Sequence, residues 1–284
     1  MRRDPHLFGI DRARFRLADL LRLCDWLSLT TEGGLSRLLS RLGIAYKRGR
    51  DWVHSPDPDY EPKLRQVASI LEEARASQGR KVALFLDEFS YYRQPTVASA
   101  YEEAGAKQPR ARRGHHANTA TRIVASLSPL EGRVLYRQAT RIDVRTLVRF
   151  YQQIREAYPD AERISLIQDN WPVHFHPDLL VALEAQESPW PIYRPGHWPT
   201  EPSAKAVKQW EGLCLPIQVV PLPTYASWTN PIEKLWRWLR QEVLHLHRLA
   251  DRLEELRATV RRFLDRFALG SLDLLRYVGL PVST

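Results

Sequence analysis

Three acidic residues stand where chemistry tends to collect. Asp87 comes at the end of an apolar run in "KVALFLDEFS", and Asp169 does the same in "RISLIQDN". Each is followed by a second polar residue, Glu88 or Asn170. Side chains at strand ends of an open α/β sheet point into a crevice, where sites form. Glu233 sits one turn into a helix-like run, "NPIEKLWRWLRQEV", that follows another apolar segment. Three carboxylates can share magnesium, a hard cation that prefers oxygen ligands. Two such cations suit phosphoryl transfer: one activates an attacking water or hydroxyl, the other stabilises the leaving oxygen.

Taken singly, each acid has a plainer role. An Asp at a strand end usually caps a turn or helix. A Glu in a first helical turn complements the macrodipole. Jointly, in a basic chain, they point toward chemistry. Histidines offer a rival site. "DNWPVHFHPD" places His174 and His176 near Asp169, and "HLHR" pairs His245 with His247 in an expected surface helix. Neither matches a zinc spacing, so zinc ranks below magnesium.

The elements that must position these acids follow from periodicity. A helix is expected over residues 12–27, then a break at "SLTTEGG". A second helix carries Leu35, Leu38, Leu39 and Leu42 on one face and stops at Gly43. Its other face presents Arg37 and Arg41, and "IAYKRGRDWVH" follows with Lys47, Arg48 and Arg50. Two short helices and a basic segment suit a helix-turn-helix with a wing touching phosphates. A plain helical hairpin fits the same pattern. Proline-rich "SPDPDYEP" then marks a boundary, and a linker helix leads on. Beyond it come a strand to Asp87, a two-strand meander turning at Glu131-Gly132, and an amphipathic helix with Leu147, Phe150, Tyr151 and Ile154. A strand to Asp169 and a strand through "LPIQVVPLP" complete a mixed α/β sheet covered by helices.

Composition bounds the partners. The 284 residues carry a net charge of +9, with 44% hydrophobic and 26% charged residues. Such a surplus favours a polyanion, most often nucleic acid. The loop "KQPRARRGHH", with Arg110, Arg112 and Arg113, is a second candidate contact. Cys24 and Cys214 form no zinc or disulfide pattern. Lacking a signal-like N-terminus or a membrane-length apolar run, the sequence reads as soluble and cytoplasmic.

"FLDE", "IQDN…VH" and "LPTYASWTNPIEKLW" resemble the three signature blocks of DDE transposases of the mariner superfamily, in its bacterial insertion-sequence branch. "LLSRLGIAYKRGRDWVHSPDPDY" resembles the end of that branch's winged helix-turn-helix region. The blocks occur in the family's order, and the third is the most specific. The resemblance implies a ribonuclease H-like catalytic fold, with Asp87, Asp169 and Glu233 as ligands of two Mg2+ ions, or Mn2+. It implies supporting roles for Glu88, Asn170 and His174. It implies a DNA-bound homodimer that cleaves terminal inverted repeats and joins them to target DNA, at TA. Arg237 and Arg240 would then face DNA.

The expected organisation is a DNA-binding region over 1–54, a linker over 55–80, a catalytic domain over 81–270 and a tail over 271–284. Two departures stand out. Asp169 and Glu233 lie 64 positions apart, longer than the resemblance implies, and residues 188–214 form the expected insertion. The N-terminus is short for the family, as in a truncated copy or one frame of a split gene. Rival readings are an idle DNA-binding remnant and a ribonuclease H-like nuclease.

Overall fold

The computed structural model describes residues 4–46, 54–185, 188–191 and 194–281. The chain divides into two units, Met1–Val53 and His54–Thr284.

In the first unit, α1 (Leu17–Leu23) packs against α2 (Glu32–Arg41). The expected helix over 12–27 is shorter because Asp19 stops it on the N-terminal side. Its buried carboxylate accepts from the Arg16 amide at 2.9 Å and pairs with Arg12. A 3-10 turn, Asp25–Leu27, follows α1. The expected break at "SLTTEGG" contains the start of α2. Thr31 caps it, its hydroxyl accepting from the Gly34 amide at 3.1 Å. Leu35 is buried, Arg37 and Arg41 are exposed, and Gly43 ends the segment with φ 70°. Lys47, Arg48 and Arg50, the expected wing, lie outside the described residues.

The second unit is built on a five-stranded sheet in the order β3-β2-β1-β4-β5. Its strands are β1 (Lys81–Tyr92), β2 (Ala120–Leu127), β3 (Val134–Ala139), β4 (Arg163–Gln168) and β5 (Ile217–Pro221). The first three are antiparallel, while β1, β4 and β5 run parallel. One face is covered by α3 (Tyr60–Ala76), α7 (Ile232–Leu239), α8 (Leu253–Asp265) and α9 (Leu272–Val278). The other holds α4 (Val144–Ala157) and the short α5 (Pro177–Leu180), while α6 (Ala204–Trp210) lies in the excursion before β5. Leu147, Phe150, Tyr151 and Ile154 of α4 are fully buried, as their spacing predicts. Each contributes roughly 1.5–3 kcal/mol of apolar burial. Asp143 fixes the start of that helix by accepting from the Thr146 amide at 2.9 Å.

Three expectations need correction. Asp87 does not close its strand: β1 continues to Tyr92 because β2 pairs with it up to Tyr92↔Ala120. Within the expected tail, α9 is not loose, since its Leu274, Leu275 and Val278 are buried against the unit. "HLHR" is not helical. After α7 the chain makes a π turn, Arg240–Leu244, and then bridges to Thr96 through His245. Among the described residues, no helix is long and apolar enough to cross a membrane.

The boundary segment before α3 is tightly held. Lys63 Nζ donates to Asp57 Oδ2 at 2.8 Å, and both side chains are buried. Burial pushes the Asp57 carboxyl up, but bonds from Lys63 and from the Thr224 and Asp59 amides outweigh it and hold the pKa at about 2. A carboxyl depressed in the folded state stabilises above its unfolded pKa, near 4, and loses that contribution as pH falls through about 2. Lys63→Met strands a buried charge, which costs about 3–5 kcal/mol at pH 7. Urea denaturation should show that deficit, and it should shrink as pH falls from about 4 toward about 2.

Candidate active site

The sheet register explains how two distant acids meet. The parallel ladder of β1 with β4 runs from Lys81↔Arg163 to Phe85↔Ile167 and there ends. β4 stops at Gln168, while β1 runs on beside β2 alone. Two steps past the last rung stand Asp87 and Asp169. Alternation along β1 sends Asp87 and Glu88 to opposite faces. Asp87 lies on the Phe85 and Phe89 face, under α7, and Glu88 on the Leu84 and Leu86 face, with α4.

Helix α7 is fixed to the same point of β1. Asn230, buried, donates from Nδ2 to the Leu86 carbonyl at 3.0 Å, one residue before Asp87. Pro231 then starts a helix without needing a donor. Ile232, Leu235, Trp236 and Leu239 are buried beneath it, and Glu233 is left half-buried beside the sheet. Trp236 does more than pack. Its ring stacks on Phe89 at 5.1 Å, and its Nε1 donates to Asp87 Oδ2 at 2.7 Å.

Burial pushes the Asp87 carboxyl up to about 8, and the charges of Glu88, Glu233 and Asp169 add to the rise against the Trp236 bond. Glu233 is also raised, first by burial and then by Asp169, while Arg240 and Arg237 pull it down. One close grouping on this edge is Glu88, Asp169 and His174, with a ligand atom of each within 4.8 Å of the others. It does not include Asp87 or Glu233. His174 is fully buried, and its Nε2 lies 3.3 Å from Glu88 Oε1 without an aligned hydrogen bond. Tyr151 holds the other ring nitrogen at 3.3 Å. Asp169 is exposed and accepts from the Trp171 amide at 3.0 Å, and Asn170 donates to the Leu222 carbonyl and Thr224 Oγ1, each at 3.0 Å.

Such a donor set fits divalent cations. The oxygens of Asp87, Asp169 and Glu233 repel one another, and a cation between them removes the repulsion. Glu88 Oε1 and His174 Nε2 are buried polar atoms without a hydrogen-bond partner at the same edge. Two of the other histidines each commit one ring nitrogen to a backbone amide. His176 Nδ1 accepts from the Asp178 amide at 3.1 Å, and His247 Nδ1 from the Leu249 amide at 3.1 Å.

Asp87, Glu88 and Asp169 open onto a cleft of ≈ 620 Å³ that Arg122 and Arg141 also line. Arg122 is fixed by donating to the Thr140 carbonyl at 3.0 Å. Neither arginine nor the Trp236 N–H is marked by the sequence. Arg122 stands across the ladder from Ser90, so a β1–β2 register is the signal that places it. Of the arginines singled out from sequence, Arg110, Arg112, Arg113 and Arg237 are exposed. Arg240 is exposed as well, with its guanidinium 4.8 Å over the Phe89 ring.

A carboxyl whose folded pKa is raised stabilises below its unfolded pKa and loses that contribution as pH rises through the folded value. With cations chelated, the denaturation midpoint should therefore fall between pH ~4 and about 8 on account of Asp87. Asp87→Asn should flatten that part of the profile. An equal slope in wild type and variant would show that Asp87 is not the source.

Residues 82–257, more than half of the chain, match the DDE superfamily endonuclease family. The insertion element IS630 uncharacterized 39 kDa protein of Shigella sonnei is 19% identical over 267 residues, which span 93% of this chain and 68% of that protein. The fold is shared with solved Mos1 structures. The mariner paired end complex with Mn superposes with a TM-score of 0.56 at 17% identity, over 95% of this chain and 77% of that one. The transposase paired-end complex with left transposon end gives 0.55 at 15%, over 95% and 76%. The second unit is thus the ribonuclease H-like sheet expected from the sequence, and the chain belongs to the DDE superfamily endonucleases.

Proposed function

We propose that the protein is a DNA transposase in which Asp87, Asp169 and Glu233 hold divalent cations, magnesium or manganese, for cleavage of transposon ends and strand transfer. The observation that carries the reading is Asp87 itself. It is a half-buried carboxyl, held by Trp236, that burial and then the charges of three neighbouring acids push up to about 8. Keeping it ionised at neutral pH calls for positive charge at this point of the sheet.

When bound, the cations activate the attacking oxygen and stabilise the leaving one in an in-line displacement. The protein's own groups do the positioning. Trp236 fixes which Asp87 oxygen faces inward. The Trp171 amide holds Asp169 Oδ1, and Asn170 ties the end of β4 to the loop after β5. Arg122 and Arg141 offer charge to a phosphate entering the cleft. In the first reaction water cuts a phosphodiester and leaves a 3′-hydroxyl on the element. In the second that hydroxyl displaces the 3′-oxygen of a target phosphodiester.

The DNA partners in this reading are the element's terminal inverted repeats and a TA target, bound by a homodimer. It rests on the motif resemblance and on the names of the relatives. Exposed Arg37 and Arg41, with Lys47, Arg48 and Arg50 beyond them, would bind an end. Arg110, Arg112, Arg113 and Arg237 would meet phosphates.

Asp87→Ala, Asp169→Ala and Glu233→Ala should each lower metal-dependent cleavage of the element's end duplex by about 100-fold or more, with end binding retained. Cleavage that survives in all three sinks the mechanism. Trp236→Phe keeps the ring stack but loses the N–H, and cleavage should fall by about tenfold. Joining of pre-cut ends to target DNA separates a transposase from an idle binding remnant, which yields no product.

A further inference from the structure

The segment Ser55–Tyr60 is bonded into the loop that follows β5, on the far side of the sequence. Ser55 Oγ donates to the Thr224 carbonyl at 2.6 Å. The Thr224 amide donates to Asp57 Oδ2 at 2.7 Å, the oxygen that also receives Lys63. Asp57 Oδ1 accepts from the Asp59 amide at 2.9 Å, so both oxygens of a buried carboxylate are committed. Thr224 is therefore gripped at both its backbone polar atoms by one short segment. Its side chain points the grip elsewhere: Oγ1 accepts from Asn170 Nδ2 at 3.0 Å. Asn170 follows Asp169 directly, and the same amide also reaches the Leu222 carbonyl. β4 has ended by then, so no ladder bond holds Asp169 in place.

We propose that Asp57, Lys63 and Thr224 form a positioning latch, running through Asn170, that sets the backbone and hence the carboxylate of Asp169 for metal binding. This rests on the reading of Asp169 as a metal ligand. None of the three latch residues touches the reacting atoms. They act by fixing a ligand that stands on loop rather than strand. The outer partners of metal ligands typically carry 10- to 100-fold in affinity or activity. A buried, fully hydrogen-bonded ion pair suits the role, because its geometry tolerates little drift. The latch lies in the first described residues of the second unit, ahead of α3.

Thr224→Val tests the central bond while leaving the backbone grip intact. In the full chain, with a duplex carrying the element's end, cleavage is measured against Mn2+ concentration, and end binding by anisotropy. Thr224→Val should raise the half-saturating Mn2+ about tenfold, with end affinity within about twofold of wild type. Thr224→Ser, which keeps the acceptor oxygen, should behave as wild type. Ser55→Ala, which removes the bond to the Thr224 carbonyl and the one Ser55 Oγ accepts from the Asp57 amide at 3.3 Å but leaves Asn170 its acceptor, should shift the metal dependence in the same direction by less, and gives a second variant should Thr224→Val fold poorly. Free Mn2+ measured by electron paramagnetic resonance, without DNA, should show the same order of affinities. A Thr224→Val protein with wild-type metal dependence overturns the latch. So does a Thr224→Ser protein as impaired as Thr224→Val. Asp169→Asn separates the two levels. If it still cleaves, the metal-ligand reading fails; if it is dead while Thr224→Val is unaffected, only the latch fails.

Discussion

The parallel pairing of β1 with β4 is the constraint on which the site depends. Its last rung, Phe85↔Ile167, fixes the axial position of the two aspartates together. A slip of one residue would also turn every side chain of β1 to the wrong face. The apolar faces forbid that slip. Ala83, Phe85 and Phe89 fill one core and Leu84 and Leu86 the other. Register is thus set by burial, and the acids inherit it. Glu233 is tied to the same frame by the Asn230 bond to Leu86, so a single residue of β1 stands next to both connections.

That frame holds an electrostatic arrangement that folding alone would not favour. Asp87, Glu88, Asp169 and Glu233 crowd one edge of the sheet, and burial raises Asp87 and Glu233. The chain as a whole is strongly basic, yet its arginines meet this crowd unevenly. Arg122 and Arg141 line the same cleft, and Arg240 lies over Phe89. A site that neutralised its own acids with lysine or arginine would have no need of a cation. This one leaves the repulsion standing at Asp87, whose direct donor is the Trp236 N–H, while Arg240 and Arg237 offset part of it at Glu233.

Much of this frame is legible in the sequence. Apolar runs of strand length mark β1, β4 and β5, and the i, i+3, i+4, i+7 spacing marks the buried face of α4. The acids are visible because they interrupt or end those runs. Three things are not visible, each for a physical reason. The extension of β1 past Asp87 depends on pairing with β2, a contact between segments that periodicity does not encode. Trp236 looks like a packing residue, since a buried indole fills a core whether or not its N–H finds a carboxylate. The grip of Asp57 and Ser55 on Thr224 joins residues 167 or more positions apart. Proline-rich "SPDPDYEP" has the composition of a free linker, and only its tertiary partners show otherwise.

The long excursion between Asp169 and Glu233 raises the question of how the third acid keeps its place. The answer lies at the base of the excursion. Leu183 bridges Leu215 in parallel, the Leu215 amide donates to the Ala182 carbonyl at 2.9 Å, and the Glu184 amide donates to the Leu215 carbonyl at 2.9 Å. The chain leaves and re-enters at one point, so what lies between adds only the slowly growing entropy of a longer loop. Much of that cost is offset by docking. Trp190 Nε1 donates to Gln66 on α3 at 2.6 Å, Trp198 packs on His176 at 4.8 Å, and Ser203 Oγ donates to Asp178 at 3.0 Å. β5 then begins in register with β4, from Ile164↔Ile217, as though the excursion were absent. Glu233 is positioned by β5, Asn230 and the buried face of α7. Length inserted upstream of a pinned base does not reach it.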